Sequence, residues 1–294
     1  MPILNGIYPP IVTPFEDQEV SYSQLSNNIK KWNEYELTGY VILGSNGENA
    51  MLSEAESLNV LETAIKYIPD NKQIIIGAGQ ESCKLTLNYM KQARQIGGDA
   101  FLVVSPHYYK DQMTDSALLN FYTEVAEKAE LPVVIYNVPK FTGINLTLNV
   151  LEKLASHPNI VGMKDSSGNM TYFQSLLALQ LPEFQLLTGT ANTLFPSLMV
   201  GAAGGILALA NIAPQICLDI FHLCQQGKIE KSRELQLKII RLNQLTTNIF
   251  GIGGLKYALD QIGFFGGKPR SPLEVPDADG KAQIRTELKK ISLL

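Results

Sequence analysis

One lysine stands where an amine can serve as a nucleophile. Lys164 closes the run HPNIVGMKDSSG, in which Ile160, Val161, Gly162 and Met163 carry it to the end of what reads as a buried strand. Desolvation penalises an ammonium ion, so a lysine held in such a place can be kept neutral and add to a carbonyl. Each tenfold gain in the neutral form needs about 1.4 kcal/mol of destabilised cation, which the surroundings must supply. Taken alone, Lys164 reads as an ordinary strand-end lysine in water or paired with Asp165.

Two other strand ends hold groups that such an amine can use. The loop Gly44, Ser45, Asn46, Gly47, Glu48 joins a strand to a helical segment through two glycines, leaving backbone N–H groups free for a carboxylate. Taken alone, it reads as a tight turn capped by Ser45 or Asn46. Tyr136 ends another apolar run, where tyrosine commonly packs as an amphipathic residue. A phenol beside an imine-forming lysine is also what proton transfer there requires.

The elements that position these residues follow from the recurrence of short apolar runs between longer helix-like stretches. Strands are predicted at 6–12, 39–43, 73–77, 100–105, 132–136, 160–164, 184–188 and 204–209. Helices are predicted at 21–35, 53–67, 82–96, 115–129, 147–156, 170–179 and 193–200, several opening on a capping residue such as Ser53 or Thr147. Near-continuous apolar strands suit a parallel sheet covered by helices, and eight βα units suit an α/β fold closed as a (β/α)8 TIM barrel. Active sites of such barrels lie at the C-terminal ends of the strands, which places Ser45, Tyr136 and Lys164 at one mouth. From about Cys217 the strands cease. Amphipathic stretches at 229–245, 255–262 and 280–291 lead to the expectation of a barrel domain over 1–225 and a C-terminal helical domain over 226–294.

Composition narrows the function. The 294 residues are 45% hydrophobic and 18% charged, which describes a folded chain and not a disordered one. With 24 basic against 28 acidic residues and no run of Lys and Arg beyond a pair, neither nucleic acid nor an anionic membrane is an expected partner. No apolar stretch approaches the roughly 18 residues of a membrane span, and Pro2, Pro9, Pro10 and Pro14 would break a signal helix. Cys83, Cys217 and Cys224 form neither a metal spacing nor an even disulfide set, which fits reduced thiols in a cytoplasm. Cys217 and Cys224 can share one helical face.

Seven segments in order, GSNGE, SPHYYK, YNVPKFTG, HPNIVGMKDSSG, GTANT, GGILALAN and LKYALDQIGFFGG, resemble the dihydrodipicolinate synthase and N-acetylneuraminate lyase family of pyruvate-dependent aldolases. The resemblance spans nearly the whole chain. It implies that Lys164 forms a Schiff base with a 2-oxo acid, that Tyr136 shuttles protons, and that Ser45 relays them to a tyrosine lent by a neighbouring subunit. Tyr108 is expected to be that tyrosine, with Tyr109 beside it as the alternative. Ser45 and Asn46 would bind the 2-oxo acid carboxylate, Gly189 and Ile206 would line the imine, and Ser166 would touch the distal part of the substrate. The family's members are usually homotetramers built as dimers of dimers, and neither metal nor organic cofactor is expected beyond the covalent imine with Lys164.

Departures from the family pattern bear on the substrate. Synthases of the lysine pathway carry an arginine two residues after the proline of YNVP, where this chain has Phe141, and a phenyl ring cannot replace a bidentate guanidinium. Sialic acid lyases place acidic residues after the glycine of the seventh strand, where this chain has Thr190, Ala191 and Asn192. GSNGE, KDSSG and ALAN together are most similar to 4-hydroxy-2-oxoglutarate aldolases, with 2-keto-3-deoxy sugar acid aldolases close behind. The expected activity is cleavage or formation of a 2-oxo-4-hydroxy acid. The competing expectations are a synthase condensing pyruvate with aspartate semialdehyde, and a non-catalytic barrel that binds a 2-oxo acid.

Overall fold

Runs rich in Ile and Val, such as QIIIGA and VVIYN, favour extended backbone because their branched side chains pack well on a pleated surface. A computed structural model describes residues 4–294, with Pro2 outside them. The runs form eight strands: β1 Gly6–Tyr8, β2 Gly39–Ile42, β3 Gln73–Ala78, β4 Ala100–Val104, β5 Val133–Asn137, β6 Ile160–Asp165, β7 Gln185–Thr188 and β8 Gly204–Ile206. All pair in parallel, each with its sequence neighbour from β2 to β8, and β8 pairs with β1. The circle closes between β1 and β2 through a bridge from Pro10 to Val41, with Ile11 N–H donating to the Val41 carbonyl at 3.0 Å and Val41 N–H to the Pro9 carbonyl at 3.0 Å. The fold is a (β/α)8 TIM barrel.

Helices follow the strands, among them Tyr22–Trp32, Glu54–Tyr67, Cys83–Ile96, Asp115–Lys128, Leu148–Ala155, Met170–Ala178, Leu194–Met199 and Pro214–Gln225. Ser53 and Glu56 form the expected capping box, each side chain bonded to the other's backbone N–H, a device worth about 1 kcal/mol. Two apolar layers result. Leu4, Tyr8, Val41, Ile75, Leu102, Val134, Leu187 and Ile206 fill the barrel interior, and a larger layer between strands and helices continues into the later helices through Ile239, Leu242, Leu255, Leu259, Ile284 and Leu288.

Several boundaries differ from those predicted. The first strand stops at Tyr8 because Pro9 and Pro10 have no N–H for the ladder. The last stops at Ile206, and Ala208–Asn211 curls into a 3₁₀ turn. A small antiparallel hairpin, Phe15–Glu16 with Glu19–Val20, lies in a stretch too short for periodicity to register. Pro214–Gln225, a helix packed against β1, puts Cys217 and Cys224 on one element as anticipated. After Ile229–Asn243 comes a π-helical turn, Gln244–Ile249, and then a helix that starts at Gly251 instead of near Leu255. Its glycines answer to packing: a Cβ on Gly253 would lie 2.0 Å from the Glu274 carbonyl oxygen. Ala278–Lys290 is the last helix.

Between β5 and β6 the register slips by one residue. Val133 lies opposite Ile160, but Val134 lies opposite Gly162. The bulge at Val161 sets Tyr136 directly opposite Lys164, both on the inner face. Without it Tyr136 would face Met163, a member of the outer layer, and the amine would turn away from the interior.

Candidate active site

β5 and β6 carry Tyr136 and Lys164 to the same height at the C-terminal end of the barrel. Lys164 is 3% exposed and Tyr136 6% exposed, and the Lys164 Nζ lies 4.1 Å from the centre of the Tyr136 ring. Among the described residues no carboxylate pairs with this amine. Asp165, next in sequence, turns to the other face of the strand and is occupied there. It accepts from Asn137 Nδ2 at 2.8 Å, from Ser167 N–H at 3.1 Å and from the Ser167 hydroxyl at 2.7 Å. Burial pushes the Asp165 carboxyl up, and these bonds oppose the shift. A Lys164–Asp165 ion pair is therefore absent.

The loop after β2 brings the third group. Ser45–Gly47 forms one 3₁₀ turn, and the Ser45 Oγ lies 3.3 Å from the Tyr136 hydroxyl. Asn46 borders the same space. A cavity of about 660 Å³ opens here, lined by Ser45 and Asn46, by Leu102 and Val104 of β4, by Tyr136, and by Phe141 of the short helix Pro139–Thr142. Thr247, Ile252 and Leu273 reach it from the C-terminal part of the chain. Lys164 stands against the phenol ring of Tyr136 and does not itself line the cavity.

The remaining predicted residues are placed as follows. Ile206 is fully buried in the interior layer. Gly189 donates its N–H to the Asp165 carbonyl at 2.6 Å, and a Cβ there would lie 1.9 Å from the Ser166 Oγ, so no larger residue fits beside Ser166. None of Ser166, Gly189 and Ile206 lines the cavity. Tyr108 is 78% exposed on the loop after β4, stacked edge-on with Tyr109 at 5.1 Å and bonded to neither Tyr136 nor Ser45. Phe141 is 60% exposed at the cavity, and the neighbouring Lys140 donates to the Thr247 carbonyl at 3.0 Å. Thr190 and Asn192 are tied to the helix Ile229–Asn243, both accepting from Asn243 Nδ2. Among the described residues no group of three His, Cys, Asp or Glu side chains is placed to hold a metal ion, and no helix is long and apolar enough to cross a membrane.

Sequence reasoning missed a charge cluster behind the Ser45 loop. Glu48 pairs with Lys256 at 2.5 Å, their side chains 1% and 0% exposed, and accepts from Arg270 N–H at 2.8 Å. Burial pushes the Lys256 amine down, with Glu48 opposing. The signal was present in GGLKYAL, where one charge interrupts an apolar helical run. Arg270 also grips both oxygens of Glu56 at 2.6 and 3.0 Å, and this guanidinium, helped by Ser53, brings the Glu56 carboxyl to about 2 from its ordinary 4.5. A carboxylate whose pKa is depressed by folding stabilises the fold fully above its unfolded value and loses that contribution as pH falls through the folded one. Glu56→Gln is accordingly expected to flatten the acid limb of the stability curve between about pH 4.5 and 2. Chemical denaturation across that range checks it, and a limb as steep as that of the wild type would show that other carboxylates carry it.

A barrel with a buried lysine, an adjacent phenol and an open mouth has the form of a class I aldolase, a carbon–carbon lyase. The chain belongs to the dihydrodipicolinate synthetase family, whose sequence model matches residues 3–291. It is 32% identical over 294 residues to the 4-hydroxy-tetrahydrodipicolinate synthase of Methanopyrus kandleri, covering 99% of this chain and 97% of that one. It is 31% identical over 291 residues to a probable mitochondrial 4-hydroxy-2-oxoglutarate aldolase of Emericella nidulans, covering 97% and 94%. A prophage protein of the dihydrodipicolinic acid synthase family from E. coli K12, solved in complex with pyruvate, superposes with a TM-score of 0.91 at 27% identity over 99% of each chain.

Proposed function

We propose that the protein is a pyruvate-dependent Schiff-base aldolase acting on a 2-oxo-4-hydroxy acid. The preferred substrate is 4-hydroxy-2-oxoglutarate, giving pyruvate and glyoxylate, with 2-keto-3-deoxy sugar acids as the nearest class. The observation that carries the reading is the contact of Lys164 with Tyr136 and of Tyr136 with Ser45. The amine of Lys164 adds to the 2-oxo carbon and expels water, leaving a protonated imine. As the C3–C4 bond breaks, its electron pair flows into that imine to form an enamine. Tyr136 takes the 4-hydroxyl proton while passing its own toward Ser45, and the aldehyde departs. Protonation at C3 and addition of water then release pyruvate and restore the amine. The iminium supplies the positive charge that a metal would otherwise provide, so the route needs no metal or organic cofactor.

Ser45 and Asn46 are the carboxylate ligands in this reading, Gly189 and Ile206 wall the imine, and Ser166 faces the distal part of the substrate. The exposed Tyr108 would complete the relay from a neighbouring copy in a homotetramer. Phe141 argues against the synthase reaction, because the cavity then lacks the guanidinium that would grip aspartate semialdehyde. The synthase remains the second reading, since the Methanopyrus relative carries that name. Pyruvate assayed with a panel of aldehydes and read by product mass decides between them. Glyoxylate or a sugar-derived aldehyde is expected to be consumed at least about tenfold faster than aspartate semialdehyde, since a hydrogen bond to a charged group contributes about 1.5–3 kcal/mol. Efficient use of aspartate semialdehyde would instead assign the missing cation to Lys140.

A further inference from the structure

The buried Glu48–Lys256 pair takes no part in the reaction above. We propose that Lys256, acting through Glu48, is a positioning residue that holds the Ser45–Gly47 turn so that Ser45 faces Tyr136. The inference rests on the aldolase reading for the role of Ser45.

Stability alone does not account for the pair. Taking two charges out of water is costly, and well-packed apolar residues of similar volume commonly do as well or better in such a place. Its position in the chain is more telling. Glu48 immediately follows the Ser45–Gly47 turn and donates its N–H to the Ser45 carbonyl at 3.2 Å. Its φ is 55°, in the left-handed region where glycine is the unstrained choice. A glutamate there carries backbone strain that glycine would not, and its side-chain contacts are what can offset it.

That side chain is held at both oxygens, one by Lys256 Nζ and the other by Arg270 N–H. The two cations are themselves fixed by one ring, with Lys256 Nζ 4.3 Å and Arg270 Cζ 4.6 Å from the centre of Phe15. Arg270 is further tied to the Gln18 and Met51 carbonyls and to Glu56, which joins the loop to the hairpin and to the helix Glu54–Tyr67. On the other side, the Thr13 hydroxyl donates to the Gly47 carbonyl at 2.7 Å. The turn is thus clamped at Gly47 by the segment after β1 and at Glu48 by the helix Gly251–Gln261. The same helix contributes Gly251 and Ile252 to the cavity wall, so one rigid element sets both the wall and the angle of the turn.

A double-mutant cycle in the full-length enzyme tests this. Lys256→Met, Ser45→Ala and the combination are incubated with pyruvate and borohydride. The half-saturating pyruvate concentration is read from the rate of mass gain, beside a thermal melt. Lys256→Met is expected to raise that concentration by about tenfold, a common size for coupling between linked residues. The combined variant should be little worse than Ser45→Ala alone, because no Ser45 hydroxyl is left to be positioned. Should Lys256→Met fail to fold, the charge-free pair Glu48→Gln with Lys256→Met replaces it in the same cycle. Additive effects, or a lower melting temperature with an unchanged pyruvate requirement, would overturn the proposal and leave the pair a stability element. A wild-type enzyme that traps no pyruvate would instead overturn the aldolase reading, and this inference with it.

Discussion

Borohydride and pyruvate together are expected to leave the mass of the Lys164→Ala protein unchanged, while the wild type gains one reduced pyruvyl adduct. The same substitution should lower turnover by a factor on the order of 10⁶, the scale seen when a covalent nucleophile is removed. Folding should survive. Lys164 makes no ion pair among the described residues, and β6 is held by backbone pairing to β5 and β7 that alanine retains. The lost contact is that of the amine with the Tyr136 ring at 4.1 Å. Mass spectrometry of the trapped protein with a circular dichroism melt separates the outcomes. A labelled alanine variant would move the nucleophile to another lysine, and an insoluble one would make Lys164 a structural residue.

Tyr136→Phe is the second large effect, a fall in turnover of about 10² to 10⁴. The substitution isolates one function, because the phenyl ring stays against the Lys164 amine and only the hydroxyl 3.3 Å from Ser45 disappears. The loss of one hydrogen bond costs about 1 kcal/mol of stability. The variant is therefore expected to stay folded and to be trapped by borohydride slowly but completely. Steady-state and single-turnover rates with the best aldehyde acceptor are the measurement. A rate equal to that of the wild type would mean that the proton leaves by another path.

Much of this architecture was legible in the residues. The eight apolar runs and their order were visible because strands of a covered parallel sheet are apolar on both faces, and no competing pattern blurs them. Ser53 and Thr147 announced helix starts through their side-chain oxygens, and both cap as expected. The association of Ser45, Tyr136 and Lys164 followed from strand ends alone, since a barrel gathers them at one mouth. What stayed hidden depends on contacts between distant segments. The pairing of Glu48 with Lys256 joins residues about two hundred positions apart, and a left-handed glutamate leaves no mark in periodicity. The helix starting at Gly251 contradicts local propensity, which close packing against Glu274 overrides. That Tyr136 lines the cavity while Lys164 behind its ring does not is a matter of side-chain placement that spacing does not encode.

The extra residue at Val161 also limits how this chemistry can be transplanted. A designer who grafted the strand from Ile160 through KDSSG onto a scaffold strand that pairs without the extra residue would deliver the lysine facing the surrounding helices. The irregularity has to travel with the motif. The placement of Lys164 thus depends on a counting offset in the backbone as much as on the identity of any side chain.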